Sequence, residues 1–223
     1  MNKINKKGII AFSIIFLLLF IDQLSKIWVK THMGLYESID IANWFKIYFV
    51  ENPGMAFGIE LGGKLFLTLF RIFVAIIATI YMIRLIRQNY KTGLIFCIAL
   101  IIAGAAGNIF DSIFYGAIFS ESYPGHVASF VSFGQGYSSL FHGNVVDMLY
   151  FPLFKGTLPE WIPFFGGRHV EFFRFIFNIA DSCITIGVIL LLLFYRKSFS
   201  ISLMTEKEKI KYFAKKEAEA NEK

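Results

Sequence analysis

The architecture follows first from one long apolar stretch, Thr92-Gly-Leu-Ile-Phe-Cys-Ile-Ala-Leu-Ile-Ile-Ala-Gly-Ala-Ala-Gly-Asn-Ile-Phe-Asp-Ser-Ile-Phe-Tyr115. A helix that rises about 1.5 Å per residue needs roughly 20 mostly apolar residues to cross the hydrocarbon core of a bilayer. Three further stretches meet this requirement, at 8–29, 65–86 and 173–195. The sequence therefore predicts an all-α polytopic membrane protein with four transmembrane helices.

Composition excludes the other broad classes of protein. The chain has 223 residues, of which 56% are hydrophobic and 17% are charged, and it contains 27 Phe. A soluble domain of this size carries about 25% charged residues, and a disordered chain is poor in aromatic residues. Because Cys97 and Cys183 are expected at different depths of the membrane, we expect two free thiols and no disulfide.

The distribution of basic residues predicts the orientation of the helices. Lys and Arg cluster before the first span, in the short link between spans two and three, and after span four, whereas the long segments 30–64 and 116–172 carry few. The positive-inside rule then places both termini in the cytoplasm and both long segments outside. We expect a membrane domain over 1–196 and a charged cytoplasmic tail over 197–223. Basic residues that flank spans do not form a nucleic-acid-binding face.

The long outer segments contain their own structural signals. Residues 47–50 and 55–59 are β-prone and flank the turn sequence Glu51-Asn-Pro-Gly54, which predicts a hairpin. Residues 151–173 are rich in aromatic side chains, as is typical of the membrane interface. Residues 120–139 are predicted to be an exposed excursion. The tail from 206 onward is expected to be a solvated helix or disordered.

Polar residues lie near one end of three predicted spans, where charged groups cost several kcal/mol and normally mark function. Alternating up and down helices bring these residues to one depth, near the outer leaflet. They are Asp22 and Lys26 in span one, Asn108 and Asp111 in span three, and Asn178 and Asp181 at the start of span four, together with Asp147 in the preceding segment.

Some of these residues also have structural explanations. Asp22 and Lys26 can form an ion pair that anchors a helix end, Asp111 can pair at a helix end, and asparagines commonly bond between membrane helices. Asp147 and Asp181 are harder to explain in this way, because both lie in apolar sequence without a basic neighbour. Two such carboxyls that meet in a low dielectric share one proton, as in aspartic proteases, and need no metal or other cofactor.

Five segments resemble the motifs of the signal peptidase II family, in the family's order and over about residues 8–196. They are Asp22-Gln-Leu-Ser-Lys26, Asn52-Pro-Gly-Met-Ala-Phe-Gly58, Gly104-Ala-Ala-Gly-Asn-Ile-Phe-Asp111, Val145-Val-Asp147 and Phe177-Asn-Ile-Ala-Asp181. The resemblance implies a membrane aspartyl endopeptidase in which Asp147 and Asp181 are the catalytic pair. It also implies a group of residues that bind the substrate or brace the site: Asp22, Lys26, Asn52, Gly54, Asn108, Asp111, Asn178 and Ala180.

The resemblance also implies a substrate, a location and a fold. The substrate is a prolipoprotein that carries diacylglycerol on its lipobox cysteine and is cut just before that cysteine. The enzyme is expected to work as a monomer among the lipids of the bacterial cytoplasmic (inner) membrane, and globomycin-like cyclic peptides are expected to inhibit it. A small extracytoplasmic β-cradle and a short interfacial helix are expected beside the four spans.

The sequence departs from the family pattern at one motif position and in two segments. Ser112 stands where the family usually has Arg, and a serine cannot make the bidentate hydrogen bonds of a guanidinium. Arg174, near the start of span four, is a candidate substitute. The segments 116–147 and 151–173 look longer than the family norm, and we expect them to widen or cover the cleft.

Two other classes of function remain open at this point. Carboxyls inside a membrane also relay protons in ion-coupled transporters. The polar residues of this chain cluster at one face and do not line a path through the bilayer, with Arg71 as an exception. A non-catalytic membrane scaffold is the second alternative, but it does not require carboxylates and asparagines in one layer.

Overall fold

The computed structural model describes residues 3–53, 63–172 and 174–221. Within these ranges, four helical segments are long and apolar enough to cross a membrane, as the sequence predicts. They are α1 (Lys3–His32), α2 (Gly63–Arg87), α3 (Thr92–Phe110), which continues through a π-helical turn (Asp111–Tyr115) into α4 (Gly116–Ile118), and α5 (Ile179–Leu190), which continues through a second π-helical turn (Leu191–Tyr195) into α6 (Arg196–Leu203). A separate helix, α7 (Glu206–Asn221), follows them.

The central helix of the bundle is α3, which packs against α1, α2 and α5. Several of its apolar residues, including Leu94, Cys97 and Ile98, are buried in one cluster with residues of the other helices. The outer helices instead expose large apolar side chains such as Phe16, Phe73 and Leu193. Such exposure is unfavourable in water and suits a lipid solvent, so the burial pattern agrees with the four spans.

Glycines allow α3 and α5 to approach closely. A Cβ atom added at Gly104 would lie 2.2 Å from the carbonyl oxygen of Ala180, and one added at Gly107 would lie 2.5 Å from Oδ2 of Asp22. Small residues at membrane-helix contacts permit this kind of backbone approach. The sequence Gly104-Ala-Ala-Gly107 is therefore the point at which the first turn of α5 and the side chain of Asp22 reach α3.

A small antiparallel sheet lies beside the helical bundle. Its strands run in the order β1-β2-β3-β6, and a second sheet pairs β4 with β5. The strands are β1 (Ser38–Ala42), β2 (Phe45–Asn52), β3 (Val145–Tyr150), β4 (Phe154–Thr157), β5 (His169–Phe172) and β6 (Ile176–Phe177). Phe49, Val146 and Met148 bury one face of the larger sheet against Val29 of α1 and Tyr115 of the π-helical turn. The sheet is thereby fixed to one end of the bundle.

The predicted hairpin is wrong in its pairing. Glu51 and Asn52, assigned to the turn, belong to β2, which pairs with β1 before it and with β3 far along the chain. The predicted second strand, 55–59, and Gly54 lie outside the described residues. The sequence signal failed because a local turn pattern carries no information on pairing with distant strands.

The boundary of the fourth span also differs from the prediction, which began it at residue 173. The helix begins at Ile179, because Ile176–Phe177 is extended and pairs with β3 as β6. Asn178 then caps the helix by accepting a hydrogen bond from the backbone N–H of Asp181. For the tail, the sequence allowed either a solvated helix or disorder, and the structure shows a helix over Glu206–Asn221.

The two segments that look longer than the family norm, 116–147 and 151–173, contain more structure in their described parts than the sequence suggests. Residues 119–144 pack beside the end of α1, where the backbone N–H of Leu35 bonds to the carbonyl of Tyr123. In the described part of 151–173, the chain forms the β4–β5 hairpin and no helix, so the interfacial helix implied by the resemblance is not found there. Trp161 and Phe164 are exposed at the tip of this hairpin, as expected for an interfacial segment. Whether either segment covers a cleft stays a prediction.

We expect Gly104→Ala to reduce the free energy of unfolding by about 1–3 kcal/mol, since the added methyl group forces α5 away from α3. Gly8→Ala is the matched control, because its Cβ would meet Ile86 at an ordinary contact distance of 3.8 Å. Unfolding in detergent micelles, followed by circular dichroism, measures both variants. Equal stability of Gly104→Ala and the wild type would contradict the close contact.

Candidate active site

Asp147 lies in the middle of β3 and is almost fully buried, with 6% of its surface exposed. Side chains alternate along a strand, so Asp147 points away from the face that Val146 and Met148 bury against the bundle. Its Oδ1 accepts a hydrogen bond from Nδ2 of Asn178 at 2.8 Å, and its Oδ2 accepts one from Nδ2 of Asn52 at 3.4 Å. Two neutral amides thus hold this carboxyl.

Asp181 lies in the first turn of α5, where the helix dipole favours a negative charge. Its Oδ1 accepts a hydrogen bond from Nδ2 of Asn108 at 2.7 Å. Its Oδ2 accepts one from the backbone N–H of Asn178 at 3.4 Å, which completes a capping box with that residue. The fold of the helix start therefore fixes the orientation of this carboxyl.

Asn178 connects the two carboxyls. Its Nδ2 donates to Asp147, while its Oδ1 accepts from the backbone N–H of Asp181 at 2.8 Å. The two acids come from a strand and a helix, yet both bond to Asn178: Asp147 accepts from its side-chain amide, and the carboxyl of Asp181 accepts from its backbone N–H. The structure therefore brings the predicted pair, Asp147 and Asp181, together at one site.

The pKa of Asp147 is raised to about 7. Burial is the main cause, since a low dielectric disfavours the charged form, and the negative charge of Asp181 adds to the effect. A carboxyl with this pKa holds a proton for much of the time at neutral pH. The site can therefore present one protonated carboxyl and one ionised carboxyl together.

A buried ion cluster lies directly behind the acid pair. Nζ of Lys26 is 3.0 Å from Oδ2 of Asp22 and 2.8 Å from Oδ2 of Asp111, and the lysine is fully buried. It also donates to Oδ1 of Asn108 at 3.0 Å. The sequence left open whether Asp22 and Lys26 form a structural ion pair, and the structure shows that they do, with Asp111 as a third member.

The ion cluster contacts both elements that carry the acid pair. Oδ1 of Asp22 accepts a hydrogen bond from the backbone N–H of Ala180 at 2.9 Å. Oδ2 of Asp111 accepts one from the backbone N–H of Val146 at 3.3 Å. Ala180 precedes Asp181, and Val146 precedes Asp147, so the cluster fixes the backbone next to each acid.

Sequence reasoning missed several polar residues at this end of the bundle. Gln23 donates from Nε2 to Asp111 at 2.8 Å and accepts from the hydroxyl of Tyr115 at 3.1 Å. Its position next to Asp22 was the available signal. The π-helical turn that starts at Asp111 contributes both partners, and such turns often occur at functional sites.

A second buried cluster joins α1, β2 and the segment after α4. Lys30 forms an ion pair with Glu51, and it donates to the hydroxyl of Ser122 at 2.9 Å. Glu51 also accepts from Nδ2 of Asn144 at 2.8 Å. Lys30 follows Lys26 by one helical turn, and that spacing was the signal that sequence reasoning could have used. Because Glu51 precedes Asn52, this cluster supports the strand end that contacts Asp147.

Ser112, which stands where the family usually has arginine, bonds to a guanidinium other than that of Arg174, whose role as a substitute stays a prediction. Ser112 accepts a hydrogen bond from Nη1 of Arg71 at 3.3 Å and donates to the carbonyl of Asn108 at 2.9 Å. Arg174 instead has an exposed side chain. The guanidinium next to Ser112 therefore comes from α2.

We expect Lys26→Met to reduce the free energy of unfolding by about 3–5 kcal/mol, because it leaves two buried carboxylates without their cation. Lys46→Met is the matched control, since Lys46 pairs with the exposed Asp40 and a surface pair contributes about 0–1 kcal/mol. Denaturant titration in detergent measures both. A Lys26→Met variant as stable as Lys46→Met would show that the buried cluster does not hold the bundle.

Comparison with known proteins agrees with this geometry. The sequence profile of the family described as Signal peptidase (SPase) II matches residues 14–196. The lipoprotein signal peptidase of Porphyromonas gingivalis is 55% identical over 199 residues, which cover 88% of this chain and 87% of the relative. The lipoprotein signal peptidase of Amoebophilus asiaticus is 39% identical over 194 residues, covering 84% and 78%.

A solved structure shares the fold. It is a bacterial membrane enzyme determined by the in meso method at 2.3 Å resolution, with 25% sequence identity and a TM-score of 0.55 over 88% of this chain and 93% of that one. Together with the four apolar helices, this likeness makes the chain a multi-pass membrane protein. The chain belongs to the signal peptidase II family, whose members are aspartic proteases that cleave signal peptides from prolipoproteins.

Proposed function

We propose that Asp147 and Asp181 are the catalytic pair of this peptidase. The observation that carries the proposal is that both carboxyls accept hydrogen bonds from Asn178, Asp147 from its Nδ2 and Asp181 from its backbone N–H, together with a pKa of Asp147 near neutrality. The pair can hold one proton, which is the state that acid–base hydrolysis of a peptide bond requires.

In the proposed reaction, ionised Asp181 takes a proton from a water molecule, whose oxygen attacks the scissile carbonyl carbon. Protonated Asp147 donates its proton to the carbonyl oxygen, which gives a neutral tetrahedral diol. The C–N bond then breaks as Asp181 returns its proton to the leaving nitrogen, and Asp147 regains a proton from a hydroxyl of the diol. The carboxyls finish as they began.

The other predicted residues receive binding or bracing roles. Asn52, Asn108 and Asn178 donate to the acid pair and orient it. Asp22, Lys26 and Asp111 brace the backbone at Ala180 and Val146. Gly54, outside the described residues, keeps its predicted role beside the substrate.

We infer that the substrate carries diacylglycerol on its lipobox cysteine and is cut just before that residue. The acid pair supports this, because it lies where the sheet meets the bundle and thus where a lipid-anchored chain can meet water. The basic residues after α2 and α5 favour a cytoplasmic location of both termini, in the bacterial cytoplasmic (inner) membrane. A monomer that binds membrane lipid and globomycin-like cyclic peptides completes the proposal.

We expect Asp147→Asn and Asp181→Asn each to reduce cleavage of a diacylglyceryl precursor peptide by at least about 10²–10⁴-fold, because each removes a proton-transfer group. Mass spectrometry of the peptide after incubation with purified protein measures cleavage. Asp40→Asn is the control, since Asp40 lies in β1 and pairs with Lys46 on the surface. An active Asp147→Asn or Asp181→Asn variant that retains its fold would contradict the assignment.

We expect cleavage by the wild type to decline as the pH rises through about 7. Asp147 has a raised pKa of about 7, so it loses its proton over this range, and two ionised carboxyls cannot donate to the carbonyl oxygen. Initial rates from about pH 5 to about pH 9 measure this dependence. A rate that keeps rising across the alkaline half would mean that Asp147 does not act as the acid.

A further inference from the structure

Arg71 is a charged residue in the otherwise apolar middle of α2, which extends over Gly63–Arg87. Charged residues inside membrane segments are expensive to insert and are rarely present without a partner or a function. Arg71 is half-buried, and its Nη1 donates to the hydroxyl of Ser112 on the π-helical turn. This bond directs the guanidinium toward the π-helical turn that continues α3.

The guanidinium of Arg71 lies within Coulombic range of three carboxyls, those of Asp181, Asp111 and Asp147. Among the described residues, however, it forms no ion pair, since Asp111 pairs with Lys26 and the other two acids are held by asparagines. A guanidinium has five N–H donors in a planar fork. Within the described part of the chain, one hydrogen bond to Ser112, which is next to Asp111 in the sequence, leaves most of these donors available.

An apolar groove lies between the same two helices, and its lining includes the residue after Arg71 and the residue after Ser112. It has a volume of about 480 Å³, and it lies between α2, α3 and one residue of α1. Ile72 and Ile113, the residues that follow Arg71 and Ser112, line it. A ligand that lies in the groove therefore needs apolar chains, and one that reaches Arg71 needs hydrogen-bond acceptors at their end.

We propose that Arg71 is a substrate-binding residue whose guanidinium donates hydrogen bonds to carbonyl oxygens of the lipidated substrate beside the scissile bond. This inference rests on the proposed function of the acid pair. Carbonyl groups are the acceptors that such a substrate offers next to apolar chains, either in its peptide backbone or in its diacylglyceryl esters. Ser112 holds the guanidinium in place, so α2 supplies a group that the third-span motif lacks.

Kinetics separate this role from a purely structural contact between α2 and α3. We expect Arg71→Gln to raise KM by about 10–100-fold and to leave kcat within about twofold. The reason is that the loss of a hydrogen bond from a charged donor weakens the binding of the substrate equally in the ground state and in the transition state. Arg71→Lys keeps the charge and loses the fork, so its KM is expected to lie between those of Arg71→Gln and the wild type. Arg87→Gln, at the far end of the same helix, is the matched control and keeps the wild-type KM.

A relocated guanidinium gives a second test. Arg71→Gln combined with Ser112→Arg supplies the fork from the neighbouring helix, and its KM is expected to fall back toward the wild-type value. Substrates with ether-linked in place of ester-linked chains identify the acceptor. The effect of Arg71→Gln disappears with the ether substrate if the esters are the acceptors, and it persists if the peptide backbone is; both results support the proposal.

The inference about Arg71 can fail independently of the proposed function. It is overturned if the wild type cleaves the lipidated precursor, Asp147→Asn does not, and Arg71→Gln shows an unchanged KM or changes only its unfolding temperature. An equal rise in KM for Arg71→Gln and Arg87→Gln would also overturn it. A wild-type protein that leaves the precursor intact would instead refute the proposed function.

Discussion

Lys26 carries its charge at a point that solvent does not reach, and the balance of charges around it shapes the whole site. One ammonium faces two carboxylates, Asp22 and Asp111, so the cluster has surplus negative charge that requires further hydrogen-bond donors. Two of those donors are the backbone N–H groups of Ala180 and Val146. Because these belong to α5 and β3, satisfying the buried charge also fixes the two elements that carry the acid pair.

The polar cluster depends in turn on close packing. Gly107 lies so near Asp22 that a side chain at this position would collide with the carboxylate. A side chain at Gly104 would collide with the backbone carbonyl of Ala180. A larger residue at either position would separate α5 from α3 and break the hydrogen bond between Asp22 and Ala180. Helix packing in the apolar layer and charge compensation in the polar layer therefore impose the same distance between helices.

The sequence predicted the parts of this structure that depend on local composition or on depth in the membrane. The four spans follow from hydropathy, and the layer that contains Asp22, Asn108 and Asp181 follows from alternating helix direction. The strand pairing of β2 with β3 could not be predicted, because it joins residues about a hundred positions apart and leaves no periodic signal. The contact of Arg71 with Ser112 could not be predicted either, because neither segment carries a sequence signal that identifies its partner.

The asparagines separate a strong cation from the acids that must share a proton. Lys26 can only donate, so Asn108 presents Oδ1 to it and directs Nδ2 to Asp181. Asn52 and Asn178 likewise give Asp147 neutral donors. A lysine or arginine in direct contact with Asp147 would lower its pKa and remove the proton that it needs as an acid. The amides orient both carboxyls without that loss, which explains why, among the described residues, asparagines make the hydrogen bonds to the acid pair beside a buried ammonium.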